Sequence, residues 1–169
     1  MMSNKKSAAD VVAAATIADI FHAAKQLDGV AVKTKLIESP YFSSLSGGTV
    51  YLKPENLQNT GSFKLRGAYN KISQLSAAER KRGVITASAG NHAQGVAFSA
   101  QKLGVKAVIS MPATTPILKV EATRAYGAEV VLYGDTFDDA YVKSLELQKE
   151  KGYVYIHPFN DREVLLGQG

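Results

Sequence analysis

Four short β-rich runs, each opened by a glycine, set the hydrophobic pattern of the second half of the chain. They are Gly83-Val84-Ile85-Thr86, Gly104-Val105-Lys106-Ala107-Val108-Ile109, Gly127-Ala128-Glu129-Val130-Val131-Leu132 and Gly152-Tyr153-Val154-Tyr155-Ile156. The glycines lie 21, 23 and 25 positions apart (104−83, 127−104, 152−127). Each interval holds one helix and one strand, and a glycine just past a helix supplies its left-handed C-terminal cap. The runs are nearly continuous in apolar residues, which predicts strands covered on both faces. Helical stretches fill the gaps. In Asn91 to Leu103, Ala93, Val96, Ala97, Ala100 and Leu103 line one face. Pro116 to Tyr126 places its proline in a first turn. Thr136 to Lys151 carries Phe137, Ala140, Tyr141 and Leu145 as a stripe, with Thr136 placed to cap it. This alternation predicts an open, twisted parallel α/β sheet with right-handed crossovers from about Gly83 to Ile156.

The first part of the chain reads differently. Ile17, Ile20, Phe21, Ala24 and Leu27 recur at helical spacing, predicting an amphipathic helix over Ala8 to Leu27. Thr34 to Ile37 reads as a short strand, Ser46-Gly47-Gly48 as a turn, and Thr49 to Lys53 as a strand ended by Pro54. Ser62 to Leu75 is predicted helical, with Gly67 its weak point.

Composition narrows the function classes. The 169 residues are 46% hydrophobic and 21% charged, enough for one domain with a real core. No apolar run approaches the roughly 20 residues of a membrane-spanning helix. The absence of cysteine excludes disulfides, thiolate metal sites and cysteine nucleophiles. His22, His92 and His157 are far apart and show no metal-ligand spacing. The net charge of +5 admits nucleic acid, but the one dense basic cluster, Arg80-Lys81-Arg82, follows Glu79 at a predicted helix end. Cations there favour the helix dipole, so a solvated surface is the better reading, and small anionic ligands suit the charge equally. Lys5-Lys6 followed by Val11 to Ala18 loosely mimics a secretory signal, but Asp10 and Asp19 bracket the run. The packed helix is preferred, with the cytoplasm as the default location.

Two segments carry candidate chemistry. Lys64 stands just inside a predicted helix, after Thr60-Gly61-Ser62-Phe63. Such a lysine is usually a solvated surface residue. A desolvated one is a nucleophile toward carbonyls, and a helix N-terminus disfavours its ammonium form. Ser88-Ala89-Gly90-Asn91 follows a strand and opens a helix, where free N–H groups attract anions and Gly90 permits close approach. A plain capped turn fits those residues as well.

The run Thr60-Gly61-Ser62-Phe63-Lys64-Leu65-Arg66-Gly67-Ala68 resembles, throughout, the lysine motif of threonine dehydratases, serine racemases and their relatives among fold-type II pyridoxal-phosphate enzymes. Leu65-Arg66 after the lysine resembles the dehydratase branch rather than the synthases, which place an acidic residue there. The resemblance implies a truncated tryptophan-synthase-β-like fold, with Lys64 bound to pyridoxal 5'-phosphate as a Schiff base and later carrying a proton. It implies that Phe63 packs near the cofactor ring and that Asn91 hydrogen-bonds the cofactor's phenolic oxygen. Ser88, Ala89, Gly90, Asn91 and His92 would bind the substrate carboxylate, His92 through its backbone N–H. Serine racemases keep a serine at the position of Ala89 as a second acid–base group, so alanine favours elimination. The implied activity is ammonia-lyase chemistry: L-threonine to 2-oxobutanoate, and L-serine to pyruvate, each with ammonia.

The resemblance extends through Tyr126-Gly127-Ala128 and His157-Pro158-Phe159-Asn160. It implies that residues 1–75 are the N-terminal segment of a larger lobe, 76–156 a small α/β domain, and 157–169 a return toward the larger lobe. Relatives continue past Gly169 into a glycine-rich phosphate loop, a hydroxyl or thiol facing the pyridine nitrogen, and further helices. The expectation is therefore weak cofactor binding and little or no turnover by these residues alone, with a homo-oligomer in the full-length form. A serine racemase-like enzyme and a non-catalytic α/β fragment that pairs with a C-terminal partner are the rival readings. A nucleotide-binding module is disfavoured, since no G-x-G-x-x-G or P-loop pattern occurs.

Overall fold

The glycine-led runs form the central sheet of the protein, seen in a computed structural model that describes residues 15–169. In chain order the strands are β1 (Ile37–Glu38), β2 (Tyr51–Leu52), β3 (Val84–Ala87), β4 (Ala107–Met111), β5 (Glu129–Leu132) and β6 (Val154–Tyr155). The helices are α1 (Ile17–Gln26), α2 (Pro40–Ser46), α3 (Lys64–Ser73), α4 (Ala77–Arg82), α5 (Asn91–Leu103), α6 (Ile117–Ala125), α7 (Phe137–Lys151) and α8 (Arg162–Gln168). A 3-10 turn spans Glu55–Leu57. β1 and β2 pair antiparallel, while the main sheet has the order β5-β4-β3-β6 with every pair parallel.

Side chains alternate across each strand, so the register sorts the core into two faces. Val84, paired with Ala107, shares one buried cluster with Ile109 and Met111, against Ala93, Val96, Ala97 and Ala100 of α5 and Val120 of α6. Ile85 and Val108 point the other way. On that face Tyr155, in register with Ile85, meets the Ser144 hydroxyl of α7 at 3.1 Å. β3 and β4 are buried along their whole length, as continuous apolar runs require. β5 differs from that expectation: as an edge strand it leaves Glu129 and Leu132 exposed.

The same core extends beyond the sheet unit. Ala68, Ile72 and Leu75 of the α3 region and Val164 of α8 belong to it. α8 lies against α3 with almost no space between backbones. A Cβ added at Gly67 would sit 2.5 Å from the Val164 carbonyl oxygen, and one at Gly167 would sit 2.6 Å from that of Arg66. Gly67, the expected weak point of its helix, is thus where α8 docks. Buried Asn70 donates to the Glu163 carbonyl at 2.8 Å. Asp161 caps α8 through the N–H groups of Glu163 and Val164 and pairs with Lys71 at 2.9 Å.

The N-terminal segment departs most from its predicted form. Residues 8–14 of the expected first helix, and the signal-like Lys5-Lys6, lie outside the described residues. Within them the helix begins at Ile17, where Thr16 and Asp19 form a reciprocal capping box. Of the predicted apolar stripe only Leu27 is buried, while Ile17 and Phe21 are about 70% exposed. The first strand is Ile37–Glu38 rather than Thr34–Ile37: Ile37 and Glu38 pair with Leu52 and Tyr51, while the Thr34 N–H donates locally to the Val32 carbonyl at 2.9 Å. α2 was not predicted; Ser39 as cap and Pro40 in the first turn are its whole sequence signal. No helix among the described residues is long and apolar enough to cross a membrane.

Candidate active site

Lys64 is the first residue of α3, and nothing caps that helix end by a side chain. Two buried hydroxyl residues, Thr60 and Ser62, lead into it. The first turn is anchored from behind by Arg66, whose Nε meets Glu55 Oε2 at 2.7 Å and whose second guanidinium nitrogen meets Oε1 at 3.1 Å. This two-pronged pair, helped by Thr34 and Gln58, holds the Glu55 carboxyl down at about 2 despite its partial burial. Lys53 donates to the Thr34 carbonyl on the same side.

The Lys64 amine points forward. It is partly buried, and burial lowers its pKa below the ordinary lysine value. Nζ donates to the Pro158 carbonyl at 2.9 Å and stands 5.2 Å from the centroid of the Phe63 ring. Phe63 itself is half exposed.

α5 opens at the second predicted segment. Gly90 is its N-cap residue and supplies no side-chain cap, so the first-turn N–H groups at Asn91, His92 and Ala93 face outward without one. The Ser88 hydroxyl accepts from the Gly90 N–H at 3.2 Å. No atom lies within 4 Å of a Cβ built at Gly90, so that side of the turn is open. Ser88 and Ala89 are partly exposed and Asn91 is exposed, whereas His92 is buried. His92 Nε2 lies 3.0 Å from the Ile156 carbonyl, so this nitrogen carries the proton. Its Nδ1 is buried without a partner. Burial, with the Lys64 ammonium as a positive neighbour, pushes its pKa down to about 4, so the ring is neutral at pH 7.

The two segments meet because α3 and α5 touch at Gly95. A Cβ there would stand 2.9 Å from the carbonyl carbon of Lys64 and 3.0 Å from the nitrogen of Leu65. Sequence reading missed Gly95, whose signal was a glycine inside a helical pattern. It also missed Pro158 as the partner of Lys64, for which a local pattern holds no signal. A cavity of about 1030 Å³ lies elsewhere: Phe63 and Arg66 line it together with α1 and the end of α8, but Lys64 and the Ser88–His92 turn do not.

Pyridoxal phosphate, the group implied by the resemblance, presents an aldehyde, and its amino-acid substrates present a carboxylate. The residues fit both. An amine with a lowered pKa and a backbone carbonyl as its partner is a nucleophile for the aldehyde. The uncapped end of α5 leaves N–H groups that could receive a carboxylate.

Known proteins are similar to this chain along most of its length. The chain is 54% identical to an L-threonine ammonia-lyase of Thermotoga maritima over 154 residues, 91% of this chain and 38% of that protein. Its fold matches the processed form of threonine deaminase isoform 2 from Solanum lycopersicum with a TM-score of 0.82 and 46% identity, over 90% of this chain and 44% of that one. It matches maize serine racemase with a TM-score of 0.86 and 33% identity, over 91% and 47%. The chain thus spans less than half the length of each. A sequence profile described as "Pyridoxal-phosphate dependent enzyme" takes in Lys64, the Ser88–His92 turn and every strand of the sheet, matching residues 27–169, and the chain belongs to that family.

Proposed function

We propose that this chain supplies the lysine and the carboxylate seat of an ammonia-lyase site acting on L-threonine, with L-serine as second substrate. Bound pyridoxal phosphate would supply the aldehyde that joins Lys64 and the electron-withdrawing ring that makes the substrate α-proton acidic. Lys64 Nζ, with its pKa lowered by burial, is the base for that proton. The N–H groups at the start of α5 hold the substrate carboxylate and so fix which face of Cα meets Lys64. Phe63 and Asn91 flank the cofactor. Ser88 shapes the turn by accepting the Gly90 N–H, and His92 contributes its backbone while its neutral ring is tied to Ile156. The net reaction converts L-threonine into 2-oxobutanoate and ammonia.

One observation carries this reading: the contact at Gly95 brings the Lys64 helix start against the helix that begins with the open turn. The likeness to maize serine racemase favours a second reading, racemisation. Ala89 speaks against it, because its methyl has no proton to give to the opposite face of Cα.

The test uses borohydride to trap cofactor on Lys64. L-Threonine competes with the lysine for the aldehyde, so it should lower the trapped yield at lower concentration than D-threonine or glycine. Equal protection by all three would contradict the substrate assignment.

A further inference from the structure

The turn after β6 touches both functional segments. Its Ile156 carbonyl takes the His92 ring N–H, and its Pro158 carbonyl takes the Lys64 amine. The turn is fixed from within. His157 Nδ1 accepts the N–H of Phe159 at 3.3 Å and that of Asn160 at 2.8 Å. An asparagine makes the same reach to the second and third following N–H groups in an Asx turn, since its Oδ1 and the histidine Nδ1 sit the same number of bonds from Cα. Proline between them fixes φ and has no N–H to satisfy. The Phe159 ring packs edge-on against His157 at 4.7 Å, and the Tyr155 ring stands 6.3 Å from His157.

We propose that His157 is a positioning residue for Lys64: by capping the 158–160 turn it aims the Pro158 carbonyl, which holds the lysine amine whenever the amine does not carry cofactor. This rests on the reading of Lys64 as the cofactor lysine. The chemistry follows from valence. A neutral amine has two N–H groups and one lone pair. Spending one N–H on a fixed carbonyl sets the direction of the lone pair and leaves it available for the aldehyde or for a proton. A lysine chain loose about its four single bonds would lose that direction.

The test acylates the cofactor-free full chain with a small amine reagent at alkaline pH and reads Lys64 against exposed Lys102 by peptide mass. His157→Ala should raise the Lys64-to-Lys102 ratio about threefold to tenfold, the range for losing one hydrogen bond. His157→Asn should restore the original ratio. An unchanged ratio in His157→Ala, or an equal rise in His157→Asn, would overturn the proposal. If His157→Ala does not fold, His157→Gln replaces it, because its amide is one methylene too long to take both N–H groups. Borohydride trapping runs in parallel on the unsubstituted chain. An adduct on Lys64 with no change in ratio refutes the hold alone. No adduct on Lys64 refutes the cofactor reading and with it the purpose given to the hold.

Discussion

Gly95 and His92 show how single residues set the site. Any side chain at 95 would meet the Lys64 and Leu65 backbones, which cannot rotate away. Gly95→Ala should therefore destabilise the chain by about 1–3 kcal/mol, the usual range for overpacking. It should also lower cofactor trapping at Lys64 under conditions where the chain remains folded. Denaturant midpoints and trapped yield check the two effects separately. His92 makes a prediction about pH. Its pKa is 6.5 when unfolded and about 4 when folded, lowered chiefly by burial. Between those values the unfolded chain binds a proton that the folded chain refuses, so stability falls as pH drops through that window. The contribution is on the order of 3 kcal/mol, present in full above the unfolded value and gone below the folded one. Comparing denaturant midpoints at both ends of the window should show a smaller loss in His92→Gln, which keeps a donor for Ile156 but does not titrate. An identical loss in both proteins would contradict this.

At the scale of elements, the crossing of α3 and α8 is the joint that keeps the turn after β6 over Lys64. Gly167→Ala would place a methyl 2.6 Å from the Arg66 carbonyl and 2.7 Å from the Asn70 Cβ. The expected cost is about 1–3 kcal/mol, with faster amide exchange in α8 than in β3 and β4. Protection of α8 unchanged from the parent chain would show that the joint yields without strain. Sequence patterns revealed the sheet because a buried parallel strand and its helix leave a local, repeating signature, here the glycine and the apolar run. They missed α2 and α8 because each is only 7 residues long, too short for two turns of periodicity. They overstated the burial of β5 because an apolar run does not reveal whether its strand lies at an edge. Both chemical segments were legible through the family motif. The turn that joins them was not: Pro158 lies 94 positions from Lys64, and such a contact exists only in the fold.

For the whole molecule, the apolar surface is unevenly spread. Ile17, Phe21, Leu36, Tyr41, Leu45 and Leu57 are all more than 60% exposed and lie before α3, against Ile117, Leu118 and Phe159 in the rest of the chain, while the sheet strands β3 and β4 are fully covered. An apolar dye should therefore bind the native chain, and replacing Phe21, Tyr41 and Leu45 with serine should remove most of that signal without changing near-native helix content. Dye binding that persists in the triple variant would locate the apolar surface elsewhere. At this scale too, folding brings Lys64, the open start of α5 and the turn after β6 to one place, where we propose that the amine takes pyridoxal phosphate. Intact denatured mass after borohydride reduction with the cofactor tests it most directly, with Lys64→Ala as control. One reduced adduct, lost in the control, is the expected result. No adduct, or equal labelling of the control, would contradict it.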